Sequence, residues 1–421
     1  MHGCRISVRT RRSRKVSAAD AARSHAGYSI FPLGQLLLVR GAKQLLTLRG
    51  PNRVRRGGAL QDLAIIEDGS VLIRDGVIAQ VGSTRRIENL KESRGAAEIA
   101  VNGAIVMPGF VDPAIHLTPP SSQPRGKRRS SAEFYDHTLS FLRSCVQHGT
   151  LNAQVKISAR NQDLLSSVPL FRQLSHIGDQ LVGTVRTWRI YDQSIPLATL
   201  GDEFAHALAV LVKRKLVQRV EVASESGGLV PEKVWAAARA NGVAVNLLWS
   251  GGSPETLAYL LQRAQPRSIS CACALTPAER ALLIECPVPV IFSPAESILS
   301  EGYNDTVEQL AEQGAGVTLS SGYDERQMPV FNMQTVISLA VLRLRLTVEQ
   351  AICGATINAA HASGLGHVVG SLEAGKRADL LVINLSDYRE IPRRFGVNHV
   401  GMAIRDGKIA FNRTGWKVSA A

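Results

Sequence analysis

No uninterrupted apolar run in these 421 residues approaches the roughly 18 that a membrane-spanning helix needs, so the sequence reads as a soluble protein. It also lacks any CxxC pair among its six cysteines, which argues against a disulfide framework or a structural zinc site and fits a reducing cytoplasm. Histidine is missing altogether between His206 and His361, a long central stretch without the commonest metal-ligating side chain. Acid is scarce at the N-terminus: Arg5, Arg9, Arg11, Arg12, Arg14, Lys15 and Arg23 face Asp20 alone within residues 1–25, and the formal net charge is +14. That segment has no apolar h-region and so does not read as a secretory signal. Its Arg- and Ser-rich composition reads first as a solvated tail, with a transit peptide or a nucleic-acid arm as the alternatives.

What is present is globular. Hydrophobic residues make up 45% and charged residues 20% of the chain. After a basic tail at 1–35, short strands and turns run from Leu36 to Val81, with Asp75-Gly76 between two β-rich runs as a hairpin signal. The basic loop Arg49 to Gly58 has no interleaved aromatics and reads as a solvated turn. From residue 108 short apolar runs recur every 20 to 50 residues, among them 152–157, 181–185, 220–223, 243–248, 288–292 and 316–320. Helical patterns lie between several of them, for example Pro231 to Asn241 and Pro277 to Glu285. That alternation predicts a parallel α/β architecture, and about 250 residues suit a (β/α)8 TIM-type barrel over 108–367. The helix after Leu346 opens with a Thr347/Gln350 capping box. Strand-and-turn segments then return at 369–384 and 400–409, so residues 36–107 and 368–421 are expected to form a composite β-sandwich domain.

The stretch Val106-Met107-Pro108-Gly109-Phe110-Val111-Asp112-Pro113-Ala114-Ile115-His116-Leu117 carries the functional question. Histidines at i and i+2 on a strand share a face and can grip one metal, lowering the pKa of its bound water to about 7. Here the first position is Ala114, and only His116 remains. The stretch nevertheless resembles the first barrel strand of the amidohydrolase superfamily. So does the C-terminal part, with Ala355-Thr356-x-Asn358-Ala359-Ala360 and Gly370-Ser371-Leu372-Glu373-x-Gly375-Lys376-x-Ala378-Asp379-Leu380. Asp387 to Pro392 and Phe395 to Asn398 are most similar to imidazolonepropionases, hydrolases of a cyclic amide.

The resemblance spans roughly residues 36 to 412, strong at both ends and faint in the middle. It implies a metal-dependent hydrolase of non-peptide C–N bonds, yet the family's third metal His falls on Leu248, its Glu near Gly251 and its metal Asp on Gly322. Family contact positions fall on Ala159, Arg189, Cys273 and Gln123, with Arg125 close by.

Three readings follow. In the first, the chain is an amidohydrolase relative without metal-dependent catalysis, with no cofactor. It would keep a small-molecule pocket that uses Arg125, Lys156 and Arg189 for binding, and His116 as a vestigial metal ligand. In the second, a rebuilt site collects zinc or iron on His116, Cys273 and Asp324, or Cys273 acts as nucleophile with His116 as its base. In the third, the Arg-rich tail binds nucleic acid or another anionic partner. The loop Pro124 to Ser130, rich in Arg and Lys, sits where it could meet an anionic ligand such as a carboxylate. No membrane association is expected, and relatives of this fold often form homodimers.

Overall fold

The computed structural model describes residues 36–118, 130–159, 168–190, 197–224, 232–298 and 302–419. Five strands come first: β1 (Leu36–Leu46), β2 (Ile65–Arg74), β3 (Val77–Ser83), β4 (Ala97–Ala100) and β5 (Ile105–Pro108), with the short helix α1 (Thr84–Glu88) after β3. The last three, β15 (Leu380–Ile383), β16 (Val400–Arg405) and β17 (Lys408–Asn412), join them in one eight-stranded sheet. β5 pairs with β1 on one side and with β15 on the other, so the two chain ends meet in the middle of that sheet. Its core is a cluster of its own, including Leu37, Val71, Ile99, Val106, Leu380 and Met402.

The two Asp-Gly pairs are hairpin turns, as their sequence predicts. Asp75 and Gly76 (φ 49° and 78°) link β2 to β3, and Asp406 and Gly407 (φ 52° and 69°) link β16 to β17. The turns touch tip to tip: a Cβ on Gly407 would come within 2.7 Å of Gly76 Cα. Both turn conformation and contact therefore demand glycine there.

Between the sheet's two halves, eight parallel strands alternate with helices. They are β6 (Phe110–Leu117), β7 (Thr150–Ala159), β8 (Gly183–Ile190), β9 (Arg219–Ser224), β10 (Ala244–Trp249), β11 (Ile269–Cys271), β12 (Val290–Phe292) and β13 (Val317–Leu319). The intervening helices are α2 (Ser131–Gln147), α3 (Val168–Gln180), α4 (Leu197–Lys213), α5 (Glu232–Ala240), α6 (Pro254–Ala264), α7 (Pro277–Glu285) and α8 (Tyr303–Glu312). The chain leaving β13 forms β14 (Tyr323–Asp324), which pairs with β6 through Tyr323–Ile115 and Asp324–His116. First and last strands are thereby joined, and the parallel sheet fits a TIM-type barrel, as expected. Helices α9 (Met333–Arg343), α10 (Val348–Ala355) and α11 (Ile357–Ala362) follow.

Local chemistry sets these helix starts. Thr276 and Thr347 form capping boxes with Glu279 and Gln350, and Ser253-Pro254 and Thr276-Pro277 place proline at the first helical turn. α5 starts at Glu232; Pro231 lies outside the described residues. No helix among the described residues is long and apolar enough to cross a membrane.

Asp112 holds the closure. It is fully buried on β6, accepts the Ser321 backbone N–H at 3.1 Å and the Ala114 N–H at 3.2 Å, and takes the Ser321 hydroxyl on its other oxygen. Replacing Asp112 with Ala would leave buried N–H groups without an acceptor. We expect a loss of about 3 kcal/mol in urea denaturation. A loss below about 1 kcal/mol would mean that Asp112 does not hold the barrel shut.

The basic loop 49–58 corrects the expectation of a solvated turn in part: residues 49–53 are exposed, but Arg55 is buried and Arg56 half-buried. Arg55 is 5% exposed, its backbone N–H donates to Asn358 Oδ1 at 2.7 Å, and Asn358 Nδ2 donates back to Arg55 O at 3.0 Å and to Val317 O at 2.8 Å. Arg56 donates to the carbonyls of Gly314 (2.8 Å) and Ile284. Guanidinium groups that satisfy buried carbonyls make this loop a clamp between sheet and barrel.

Candidate functional site

Strand alternation decides what points into the barrel. On β9, Val220 and Val222 pack outward in the hydrophobic layer beneath the helices, which turns Glu221 to the interior. By the same alternation Lys156 faces inward from β7, with Val155 and Ile157 outward, and Arg189 faces inward from β8, with Trp188 and Ile190 outward. Lys156 and Glu221 are buried at 1% and 0% exposure, and Arg189 is nearly so. Glu221 takes Lys156 Nζ on one carboxylate oxygen and Arg189 Nε on the other. Lys156 Nζ also donates to Ser270 Oγ at 3.4 Å.

The electrostatics follow from burial and pairing. Burial drives the Glu221 carboxyl upward, but the Arg189 and Lys156 charges outweigh it and hold the group below its ordinary range, ionised. Burial also pulls the Lys156 ammonium down, against the opposing pull of Glu221. His116 sits at the end of β6 beside this triad, its Nδ1 3.0 Å from Arg189 Nη1. Burial, then the Arg189 and Lys156 charges, press the imidazole well below its usual value, so it is neutral at pH 7.

Sequence reasoning thus named three residues that the structure brings together: His116, Lys156 and Arg189. Cys273 stands apart from them in chemistry. Burial, with Glu279 and Glu296 adding, pushes its thiol up to about 11, which leaves little thiolate at neutral pH. The carboxylate of Asp324 is engaged by its own turn, accepting the N–H groups of Arg326 at 2.9 Å and Gln327 at 3.1 Å. Arg125 lies outside the described residues, as does nearly all of the Pro124 to Ser130 loop.

Two acids were missed. Glu221 had a usable signal, since a lone charge inside Val220-Glu221-Val222-Ala223 must find a partner if that strand is buried. Glu296, just past β12, had none. Burial raises its carboxyl to about 7, although Arg189 and Lys156 pull the other way.

A divalent metal does not fit this set. Ala114, Leu248 and Gly322 offer no donor, His116 Nδ1 is engaged by a guanidinium, and two fixed cations already sit where a third positive charge would have to enter. Among the described residues no group of three or more His, Cys, Asp or Glu could hold a metal ion. Gly322 also has no room for a ligand-bearing side chain: its φ is 62°, and a Cβ there would lie 2.4 Å from Ser293 Oγ. Gly322→Asp is therefore expected to destabilise the fold by about 1–3 kcal/mol. A variant as stable as wild type in a thermal melt would refute the crowding at this turn.

In fold the chain is of the amidohydrolase type: residues 232–410 match the amidohydrolase family profile. More particularly, the chain is similar to imidazolonepropionases. It is 27% identical to that of Geobacillus thermodenitrificans over 420 residues, covering 89% of this chain and 98% of the relative, and 26% identical to that of Brevibacillus brevis over 412 residues, covering 88% and 97%. In three dimensions it resembles E. coli guanine deaminase (TM-score 0.64, 19% identity, covering 90% of this chain and 100% of the other). It also resembles the N-isopropylammelide isopropylaminohydrolase of Burkholderia multivorans (TM-score 0.65, 20% identity, 89% and 98%). The resemblance to the amidohydrolase superfamily, with imidazolonepropionase-like features, therefore holds.

The C-terminal motif that carries much of this likeness is structural in this chain. Lys376 Nζ donates to Gly366 O at 2.7 Å and Ser371 Oγ at 2.6 Å, and Asp379 bonds Arg377, Asn152 of β7 and the Asp406 backbone. It fastens barrel to sheet whatever the mouth does.

Proposed function

We propose that this protein is a relative of the cyclic-amide hydrolases in which metal-dependent catalysis has been lost, while the mouth of the 108–367 barrel keeps a small-molecule pocket. The single observation that supports the reading most is the Lys156–Glu221–Arg189 triad, a buried ion-paired set of charges beside His116, where hydrolysis would need a metal-bound water. The triad does what such a metal also does structurally: it supplies fixed positive charge at the strand ends. It cannot supply hydroxide, because neither an ammonium nor a guanidinium coordinates and acidifies water.

The test is elemental analysis of the purified full chain after dialysis into chelator-free buffer, paired with an assay of imidazolone propionate hydrolysis. The expected result is metal far below one ion per chain and no turnover above background. Stoichiometric zinc or iron together with turnover would overturn the reading.

A further inference from the structure

We propose that the N-terminal end of the barrel, opposite the mouth, holds a small inorganic anion of chloride size between the Arg219 guanidinium, the Asn246 amide and the hydroxyls of Ser268 and Ser363. The site is independent of whatever the mouth binds.

Arg219 is a buried cation without an acid. It opens β9, faces the interior while Val220 packs under the helices, and is 7% exposed. Its Nη1 donates to Asn246 Oδ1 at 2.9 Å and to Ala362 O at 3.1 Å, both neutral acceptors, and among the described residues no carboxylate pairs with it. Burial, then the like charge of Arg267, lowers the guanidinium to about 10. Glu221, two residues further along the strand, is taken by Lys156 and Arg189. A charge removed from water is strongly unfavourable unless something of opposite sign meets it.

The groups around Arg219 are donors. A guanidinium only donates, so the Asn246 atom that meets it is the oxygen, and Nδ2 is left as an N–H donor. Nδ2 is buried, and among the described residues nothing accepts from it. Asn246 faces inward between Val245 and Leu247, and Ser268, one step before the Leu247–Ile269 pair, stands beside it. The Ser268 hydroxyl is buried without a partner among the described residues. So is that of Ser363, which directly follows Ala362. Gly364 comes next, so close that a Cβ there would lie 2.2 Å from Arg219 Nη2. That approach narrows the space at the guanidinium and suits a single atom better than a polyatomic oxyanion. Guanidinium, amide and two hydroxyls form a donor set for an anion, with no carboxylate to admit a cation instead. Arg267, which is exposed, adds its field to the attraction.

The experiment is thermal unfolding of the full chain in sodium chloride and in sodium gluconate at matched ionic strength, so that general screening cancels. Chloride is expected to raise Tm along a saturating curve, as a ligand of the native state does, whereas gluconate is too large for the site and should not. Ser268→Ala and Ser363→Ala remove no side-chain bond seen within the protein, so they should fold. Each should raise the chloride concentration needed for half the effect about fivefold, which is the loss of one hydrogen bond. Asn246→Asp sets a fixed carboxylate against Arg219 and should unfold at the same temperature in both salts. Crystals grown in sodium bromide should show an anomalous peak against the Arg219 guanidinium. Equal Tm of wild type in the two salts would overturn the site, as would a chloride effect that persists unchanged in Asn246→Asp, or water instead of bromide at Arg219. Should Asn246→Asp fail to fold, the serine variants and the bromide peak decide.

Discussion

Glu221→Leu is expected to cost the fold about 3–5 kcal/mol. Glu221 is fully buried, and both of its oxygens are taken by cations. Removing it takes the carboxylate from between the Lys156 ammonium and the Arg189 guanidinium, in a site with little water, so that it no longer offsets their mutual repulsion. Ser270 is neutral and reaches Lys156 only at 3.4 Å, so it does not replace that carboxylate. Urea denaturation followed by fluorescence of the buried Trp188, Trp235 and Trp249 would read the loss. The double variant Glu221→Leu/Lys156→Met discriminates the cause: it should recover a good part of the stability, because it removes one stranded charge and fills the space with apolar volume. If Glu221→Leu costs under about 1 kcal/mol, the three groups do not form a buried charge network.

The second large effect depends on pH. Glu296 has a folded value of about 7 against an ordinary 4.5. A carboxyl raised in this way contributes stability that is fully present below about 4.5 and is lost as pH rises through about 7. Ionising it in place would cost on the order of 3 kcal/mol by the size of the shift. Around it stand Lys156, Arg189, Cys271, Cys273 and Tyr303, of which the first two soften the penalty and the others, if ionised, would add to it. Glu296→Gln should therefore match wild type near pH 5 and exceed it by up to about 3 kcal/mol near pH 8.5 in paired thermal or urea melts. Glu221 acts in the opposite sense: held below 4.5, it contributes stability above that value and loses it in acid. Together they put greatest stability near pH 4.5, with the Glu296 share falling away between about 4.5 and 7. Parallel curves for wild type and Glu296→Gln across that range would rule out Glu296 as the alkaline-side group.

The sequence by itself determined the frame. Period-2 and helical patterns are local, and so are Asp-Gly turns and Thr-Pro helix starts; each is written within a few residues and folds as written. The motifs at 355–360 and 370–380 were legible because they bind carbonyls and turns of the backbone, a role that needs the same side chains wherever the fold recurs. That Ala114, Leu248 and Gly322 carry no donor side chain was legible too.

Only the tertiary structure decided what stands in their place. Lys156, Arg189 and Glu221 lie on three separate strands, and the carboxylate meets partners 65 and 32 residues away in sequence. Nothing local marks such a triad beyond one charge inside an apolar strand. Glu296 acquires its raised value from burial alone, which no neighbouring residue in the chain announces. The clamp formed by Arg55 and Arg56 shows the same limit, since a basic loop looks solvated until its partners 303 and 258 residues on are brought beside it. Burial and long-range pairing are properties of the closed barrel, and they set the charge states of His116, Glu221 and Glu296.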